Sequence, residues 1–105
     1  MEKTIEKIKQ FINERNWNQF HTGSNLAKSI SIEANELLEL FQWDDETTRI
    51  EDLKRELADV FIYTILLSEK YNLNIKEIIH YKMEENAKKY PITKSYGSSK
   101  KYNEF

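Results

Sequence analysis

The chain has 105 residues with a net charge of −2, 39% hydrophobic and 32% charged residues, two glycines, one proline and no cysteine. This length fits one domain, the scarcity of turn residues argues against an all-β fold, and the lack of cysteine excludes a disulfide framework, a zinc ribbon and a thiol nucleophile. A slightly negative chain without a membrane-length apolar run or a signal peptide's apolar core is expected to be cytoplasmic and to bind neither a nucleic acid polymer nor a membrane.

Hydrophobic periodicity predicts four helices followed by a tail. The predicted helices cover residues 2–15, about 25–42, about 49–71 and about 75–89. Ser24 or Asn25 is the expected N-cap of the second helix, and Asn74 that of the fourth, which ends before Pro91 because proline cannot continue a helix. We therefore expect a helical domain over residues 1–91 and an extended or mobile, polar, basic tail over 92–105.

Two pairs of acidic residues lie on helical faces that are otherwise apolar. Because an α-helix advances about 100° per residue, Glu33 falls in the middle of the apolar stripe of the second helix, and Glu36 falls at its edge. The third helix is apolar almost all round over residues 58–67, which is typical of a helix central in a bundle or buried in an interface. Asp59 interrupts that run, and Glu56 lies one turn before it.

Further polar side chains share these faces. Tyr63 lies one turn after Asp59 on the same side of the third helix. Lys82 and Asn86 lie on the apolar side of the fourth helix, and Tyr90 continues their line. A cation and an amide placed in this way are suited to holding phosphate oxygens.

Clustered carboxylates on apolar faces favour a metal site. Burying a carboxylate is costly unless it is paired, and four carboxylates converging between two helices cannot all stay ionised without a cation. Hard divalent cations such as Mg²⁺ take oxygen ligands and share them with substrate phosphates. The alternative is that each carboxylate pairs with a lysine or arginine on another helix. A single ExxE by itself is common on solvated helices.

Four runs of sequence carry a family resemblance: WNQFH at 17–21, EANELLELFQW at 33–43, ELADVFIY at 56–63 and KMEENAKKYP at 82–91. With them the chain resembles the MazG-like, all-α nucleoside triphosphate pyrophosphohydrolases, most of all the dCTP pyrophosphatase branch. The resemblance implies an all-α four-helix bundle assembled as a homodimer or homotetramer whose sites use neighbouring subunits. The nearly circumferential apolar surface of the third helix agrees with such an assembly.

The resemblance also implies the reaction and the residues that carry it. It implies hydrolysis of a deoxynucleoside triphosphate, dCTP or a related one, to a monophosphate and pyrophosphate, as a house-cleaning activity on the nucleotide pool. Mg²⁺, with Mn²⁺ as a substitute, would be held by Glu33, Glu36, Glu56 and Asp59, with Glu36 as the base on the attacking water. Substrate contacts are implied for Lys82, Asn86 and Tyr90 at the phosphates or sugar, for Tyr63 at the sugar, and for Trp17, His21 and Trp43 at the base.

Two other interpretations stay open at this point. One is a non-catalytic helical module that dimerises or binds a partner protein, with the acidic pairs as interface salt bridges. The other is hydrolysis of phosphoribosyl-ATP or dUTP on the same bundle, which the aromatic residues of the implied base site make less favoured. The chain also departs from the family's frequent His-x-Pro loop, since it has His21-Thr22-Gly23.

Overall fold

All regular structure in residues 1–104, the part of the chain described by the computed structural model, is helical. The elements are α1 (Glu2–Glu14), α2 (Gly23–Glu39), α3 (Ile50–Lys70), α4 (Ile75–Lys89) and α5 (Ile92–Ser95), with 3₁₀ turns at Trp17–Phe20 and Tyr102–Glu104. The predicted all-α class is therefore confirmed, and the four predicted helices end within three residues of the observed bounds. Within residues 1–104, no helix is long and apolar enough to cross a membrane.

The chain divides into two compact units, Met1–Asn72 and the residues from Leu73 onward. The first unit contains α1, α2 and α3, and the second contains α4, α5 and the end of the chain. The predicted separation of a domain over residues 1–91 from a tail stays a prediction.

The core of the first unit forms where α2 and α3 pack against each other and against α1. Leu26 near the start of α2, Leu66 near the end of α3 and Ile12 of α1 form one buried cluster. Leu26 meets Leu66, and one oxygen of Glu33, further along α2, lies near one of Asp59, earlier in α3, so α2 and α3 run antiparallel. Leu26 is 1% exposed, and burying a leucine side chain completely contributes about 1.5–3 kcal/mol. Lys9 of α1 adds an ion pair to Glu69 of α3 at 3.3 Å.

The starts of α2 and α4 are fixed by side-chain caps. The Asn74 carboxamide oxygen accepts a hydrogen bond from the Glu77 N–H at 3.0 Å, as predicted. The cap of α2 is Thr22, whose hydroxyl accepts from the Asn25 N–H at 3.0 Å. The prediction of Ser24 or Asn25 as this cap was therefore wrong. Asn25 supplies the capped N–H, and its side-chain amide donates to the carbonyl of Phe20 at 2.8 Å, which ties the preceding 3₁₀ turn to the helix.

Gly23 lies where this chain departs from the His-x-Pro loop. A Cβ atom at this first residue of α2 would overlap the hydroxyl of Tyr71, which follows α3. The Tyr71 side chain is 59% exposed and would have to shift to admit a larger residue at this position.

The second unit shows more structure than the sequence predicted for its end. The sequence predicts an extended or mobile tail over residues 92–105, of which the last residue lies outside the described part of the chain. The structure has a short helix at Ile92–Ser95 and a 3₁₀ turn at Tyr102–Glu104. Hydrogen bonds from the backbone N–H groups of Lys94 and Ser95 to the carbonyl of Pro91, both at 3.0 Å, begin the short helix.

Candidate functional site

Three carboxylates of α2 and α3 converge in the first unit. One oxygen each of Glu33, Glu56 and Asp59 lies within 4.8 Å of the other two. Glu33 follows Leu26 by two helical turns, and Asp59 precedes Leu66 by two turns, so each pair shares a helix face. The antiparallel pairing that buries the two leucines therefore also brings the carboxylates together. We call these three residues the acidic triad.

Crowding of like charges shifts the protonation of the triad. Partial burial raises the pKa of Glu33 to about 7, helped by a hydrogen bond with Glu36 and by the negative charges of Glu36, Asp59 and Glu56. Partial burial, with the charge of Glu36, also raises the pKa of Glu56 above its usual range. Both shifts have the direction expected for carboxylates that face each other without a compensating cation.

Within residues 1–104, no lysine, arginine or histidine forms an ion pair with the triad. None of the ion pairs found within residues 1–104 includes Glu33, Glu36, Glu56 or Asp59. The Oε2 atoms of Glu33 and Glu56 are buried without a hydrogen-bond partner. Buried carboxylate oxygens without partners are costly. Converging oxygen ligands with free lone pairs fit a hard divalent cation, whereas the alternative of lysine or arginine partners is not found in the described chain.

Glu36 and Tyr63 flank the triad. Glu36 is exposed and lies close enough to hydrogen-bond with Glu33 and Glu56, but it is not among the three residues whose oxygens converge. Tyr63 is half-buried, and its hydroxyl pKa is raised by that burial and by the charges of Glu33 and Asp59. Both residues therefore lie in the electrostatic neighbourhood where the sequence predicted them.

His21 lines a cavity of about 280 Å³ at the start of α2. Its Nδ1 atom is buried without a hydrogen-bond partner, while its backbone N–H donates to the Asn18 carbonyl at 3.1 Å. The side-chain amides of Asn13 and Asn18 bond to each other at the cavity wall, and Leu26 contributes to its apolar lining. No sequence pattern pointed to Asn13 or Asn18, because lone asparagines near a helix end are usually turn residues.

The two tryptophans lie at opposite ends of α2. Trp17, in the turn before α2, is 43% exposed and packs edge-on against Phe11, with ring centroids 5.8 Å apart. Trp43, four residues after α2, is 86% exposed and borders an open cavity of about 370 Å³ with Leu40 and Arg49. The 17 residues of α2 span about 25 Å. One copy of the chain therefore does not bring these two rings together around a single base.

The remaining predicted site residues belong to the second unit. Lys82 and Asn86 are exposed on α4, and Tyr90 is half-buried at its end. The Lys82 ammonium donates to Glu85 Oε1 at 3.1 Å. Among the predicted residues, the structure thus groups Glu33, Glu36, Glu56, Asp59 and Tyr63 in the first unit and Lys82, Asn86 and Tyr90 in the second.

Comparison with known proteins gives this site its context. The sequence profile of the MazG-like family matches residues 28–105, which include both acidic pairs. The chain therefore belongs to the MazG-like family.

Particular relatives are similar over nearly the whole chain. dCTP pyrophosphatase 1 of Mus musculus is 35% identical over 114 residues, which cover 96% of this chain and 67% of the relative. dCTP pyrophosphatase 1 of Homo sapiens is 34% identical over 116 residues, covering 98% and 68%. The crystal structure of a pyrophosphatase from Archaeoglobus fulgidus is 39% identical, with a TM-score of 0.81 over 87% of this chain and 92% of that chain. The resemblance predicted from sequence is confirmed.

Proposed function

We propose that this chain is a metal-dependent nucleoside triphosphate pyrophosphohydrolase that acts on dCTP or a related deoxynucleotide. The reaction adds water across the phosphoanhydride between the α and β phosphates and releases a nucleoside monophosphate and pyrophosphate. The observation that carries the proposal is the acidic triad, with two buried oxygens that no protein group satisfies. Family membership and the dCTP pyrophosphatase relatives support the same reaction.

Mg²⁺, with Mn²⁺ as a substitute, is the proposed cofactor. Glu33, Glu56 and Asp59 would hold it, and its charge would stabilise the negative charge that develops on the phosphate oxygens. Glu36 is exposed beside the triad, so we assign it the task of orienting the attacking water and accepting its proton. This divides the four predicted carboxylates into three ligands and one base.

The remaining residues are assigned to substrate binding. Lys82, Asn86 and Tyr90 would contact the phosphates or the sugar, as the family resemblance implies. Tyr63 would line the sugar pocket, where its ring would disfavour a 2′-hydroxyl.

The cavity at His21 is the proposed position of the base. Its volume of about 280 Å³ accommodates one nucleobase, and Leu26 on its wall lies two turns, about 10 Å, before Glu33 along α2. That separation suits a substrate whose sugar joins the base to the phosphates. The buried, unpartnered Nδ1 of His21 and the amides of Asn13 and Asn18 supply the hydrogen-bonding groups with which a base edge is recognised.

A homodimer or homotetramer is the proposed assembly. Trp17 and Trp43 flank α2 at its two ends, so a base surrounded by both tryptophans needs one from each of two copies. Trp43 is exposed in one copy, so its ring is available to contact a base bound beside Trp17 of a second copy.

The test is direct assay of pyrophosphate release. Purified protein would be incubated with each of the common ribo- and deoxynucleoside triphosphates, with Mg²⁺, with Mn²⁺ and with EDTA. We expect turnover that requires the metal and is fastest with dCTP or a related deoxynucleotide. Folded protein that releases no pyrophosphate from any triphosphate would contradict the proposal.

Substitutions within the triad make the test specific. Glu33→Gln and Asp59→Asn are each expected to lower turnover at least about 100-fold while the helical content is unchanged, since each removes a ligand charge. Glu51→Gln is the matched control, because Glu51 is an exposed acid on the same α3 that only pairs with Lys54. Near-normal turnover in either triad variant would show that the metal ligands are wrongly assigned.

Metal binding distinguishes the proposed metal-dependent enzyme from the non-catalytic interaction module considered from the sequence. A cation that binds only the folded state raises stability by about 2.7 kcal/mol at a concentration 100 times its Kd. We expect Mg²⁺ or Mn²⁺ to raise the melting temperature of the wild type but not of Glu33→Gln. Equal melting temperatures of the wild type with and without metal would favour the module.

A further inference from the structure

The 3₁₀ turn at Tyr102–Glu104 contacts the last turn of α4 through one aromatic side chain. The ring of Tyr102 meets the ring of Tyr90 edge-on, with centroids 6.1 Å apart and planes at 90°. The ammonium of Lys89 lies 4.9 Å from the centroid of the same Tyr102 ring. Both distances are within the range of favourable ring–ring and cation–π contacts. Tyr102 therefore contacts two consecutive residues of the helix end.

Lys89, which contacts Tyr102, is also the first of three charged side chains that pair along α4. Glu85 Oε1 accepts a hydrogen bond from Lys89 at 2.9 Å and another from Lys82 at 3.1 Å. Exposed ion pairs of this kind are weak alone, since ordering two long side chains offsets their attraction. A ring that covers Lys89 restricts its motion and thereby favours the paired state of Glu85. The contacts run from Tyr102 through Lys89 and Glu85 to Lys82.

We propose that Tyr102 is a positioning residue, which holds Tyr90 directly, and Lys82 through Lys89 and Glu85, in the conformations that bind substrate. The inference rests on the proposed function, in which Lys82 and Tyr90 contact the nucleotide. A side chain that is ordered before binding loses less conformational freedom when the substrate arrives. Because this gain is the same in the bound ground state and in the transition state, it lowers KM and leaves kcat unchanged.

Steady-state kinetics of tail variants test the proposal. With the best triphosphate and saturating Mg²⁺, Tyr102→Ala is expected to raise KM about threefold to tenfold and to leave kcat within about twofold. Tyr102→Phe is expected to keep the wild-type KM, because both contacts use the ring and not the hydroxyl. Tyr96→Ala is the matched control, because Tyr96 lies in the same segment with 91% of its surface exposed.

A double-mutant cycle tests the route through Lys89. If Tyr102 acts partly through that side chain, Tyr102→Ala raises KM less in a Lys89→Met background than in the wild type. Tyr102→Leu, which keeps apolar bulk but has no aromatic ring, replaces the alanine variant if the latter does not fold, and its KM is expected to rise in the same way. Melting temperatures of all variants identify any effect that is only structural.

The possible results distinguish failure of the positioning role of Tyr102 from failure of the proposed function. Turnover by the wild type with an unchanged KM in Tyr102→Ala overturns the positioning role and leaves the proposed function intact. Equal impairment of the phenylalanine and alanine variants, or a loss confined to kcat, also overturns it. A wild type that hydrolyses no triphosphate removes the proposed function, and this inference falls with it.

Discussion

The protonation of Glu33 makes the stability of the metal-free protein depend on pH. The pKa of Glu33 is raised to about 7, mainly by partial burial and by its neighbour Glu36, and that of Glu56 is raised as well. A carboxyl with a raised pKa binds protons more strongly in the folded state than in the unfolded state. The stabilisation that protonated Glu33 provides is therefore fully present below the ordinary pKa of a glutamate. It is lost as the pH rises through about 7, the pKa of Glu33 in the folded state.

We expect the free energy of unfolding in EDTA to be larger at pH 5 than at pH 7.5. Urea titrations followed by circular dichroism at the two pH values measure the difference. The Glu33→Gln variant is the control and should show a smaller pH dependence, because it has lost the group with the larger shift. The opposite result would be a free energy of unfolding that increases from pH 5 to pH 7.5, and increases more in the wild type than in Glu33→Gln. That result would show that the carboxylates are not crowded in solution.

The sequence predicted that the four carboxylates lie close together, but not which of their oxygens converge. The helical wheel placed Glu33 in the apolar stripe and Glu36 at its edge, and the structure has Glu33 half-buried and Glu36 exposed. That Glu36 lies outside the converging oxygens depends on side-chain torsions, which spacing along a helix does not determine. The wall of the His21 cavity depends in the same way on tertiary packing of α1 against the turn that follows it.

At the scale of elements, the pairing of α2 with α3 rests on few buried side chains. Leu26 is 1% exposed and contacts α1 and α3 residues of the core cluster. We expect Leu26→Ala to lower the free energy of unfolding by about 2–5 kcal/mol, the usual cost of a large cavity in a core. Because the same pairing assembles the acidic triad, the substitution should also weaken metal binding.

Chemical denaturation and metal-dependent melting of the Leu26 variant measure these two effects. Ile32→Ala, on the same helix, is the matched control because Ile32 is 56% exposed. The control should lose far less stability and should keep its metal response. Equal losses in the two variants would show that the α2–α3 contact is not the core of this unit.

Helix positions could be predicted well, and helix ends less well. Apolar periodicity determined where each of the four long helices lies, because only a continuous stripe can be buried against another element. The cap of α2 was misplaced because Thr22, Ser24 and Asn25 are all good capping residues and the choice depends on what each side chain contacts. In the tail, the packing of Tyr102 depends on contacts with Lys89 and Tyr90 that no local pattern indicates.

At the scale of the whole molecule, each of the two units exposes several large apolar side chains. In residues 1–104, four hydrophobic side chains are buried and eighteen large ones are exposed. Small domains are marginally stable even when their cores are complete. We expect part of this apolar surface to be buried between copies of the chain.

We expect the protein to be a dimer or tetramer in solution, with a mass well above the 12.6 kDa of one chain. Light scattering after size exclusion measures the mass across a range of concentrations. Phe61→Glu, at a residue of α3 that is 58% exposed, is expected to lower the mass. Tyr96→Glu is the control, since Tyr96 lies in the tail. A wild type that remains monomeric at all concentrations would contradict the assembly and the shared base site together.

The length of α2 has a genetic consequence. Trp17 precedes α2 and Trp43 follows it, and the helix between them is about 25 Å long, so in the proposed shared base site each of two chains supplies one ring. Two defective alleles, one altered at each tryptophan, would then complement each other in a cell, because some mixed assemblies contain one intact site. Two alleles altered at the same tryptophan would not.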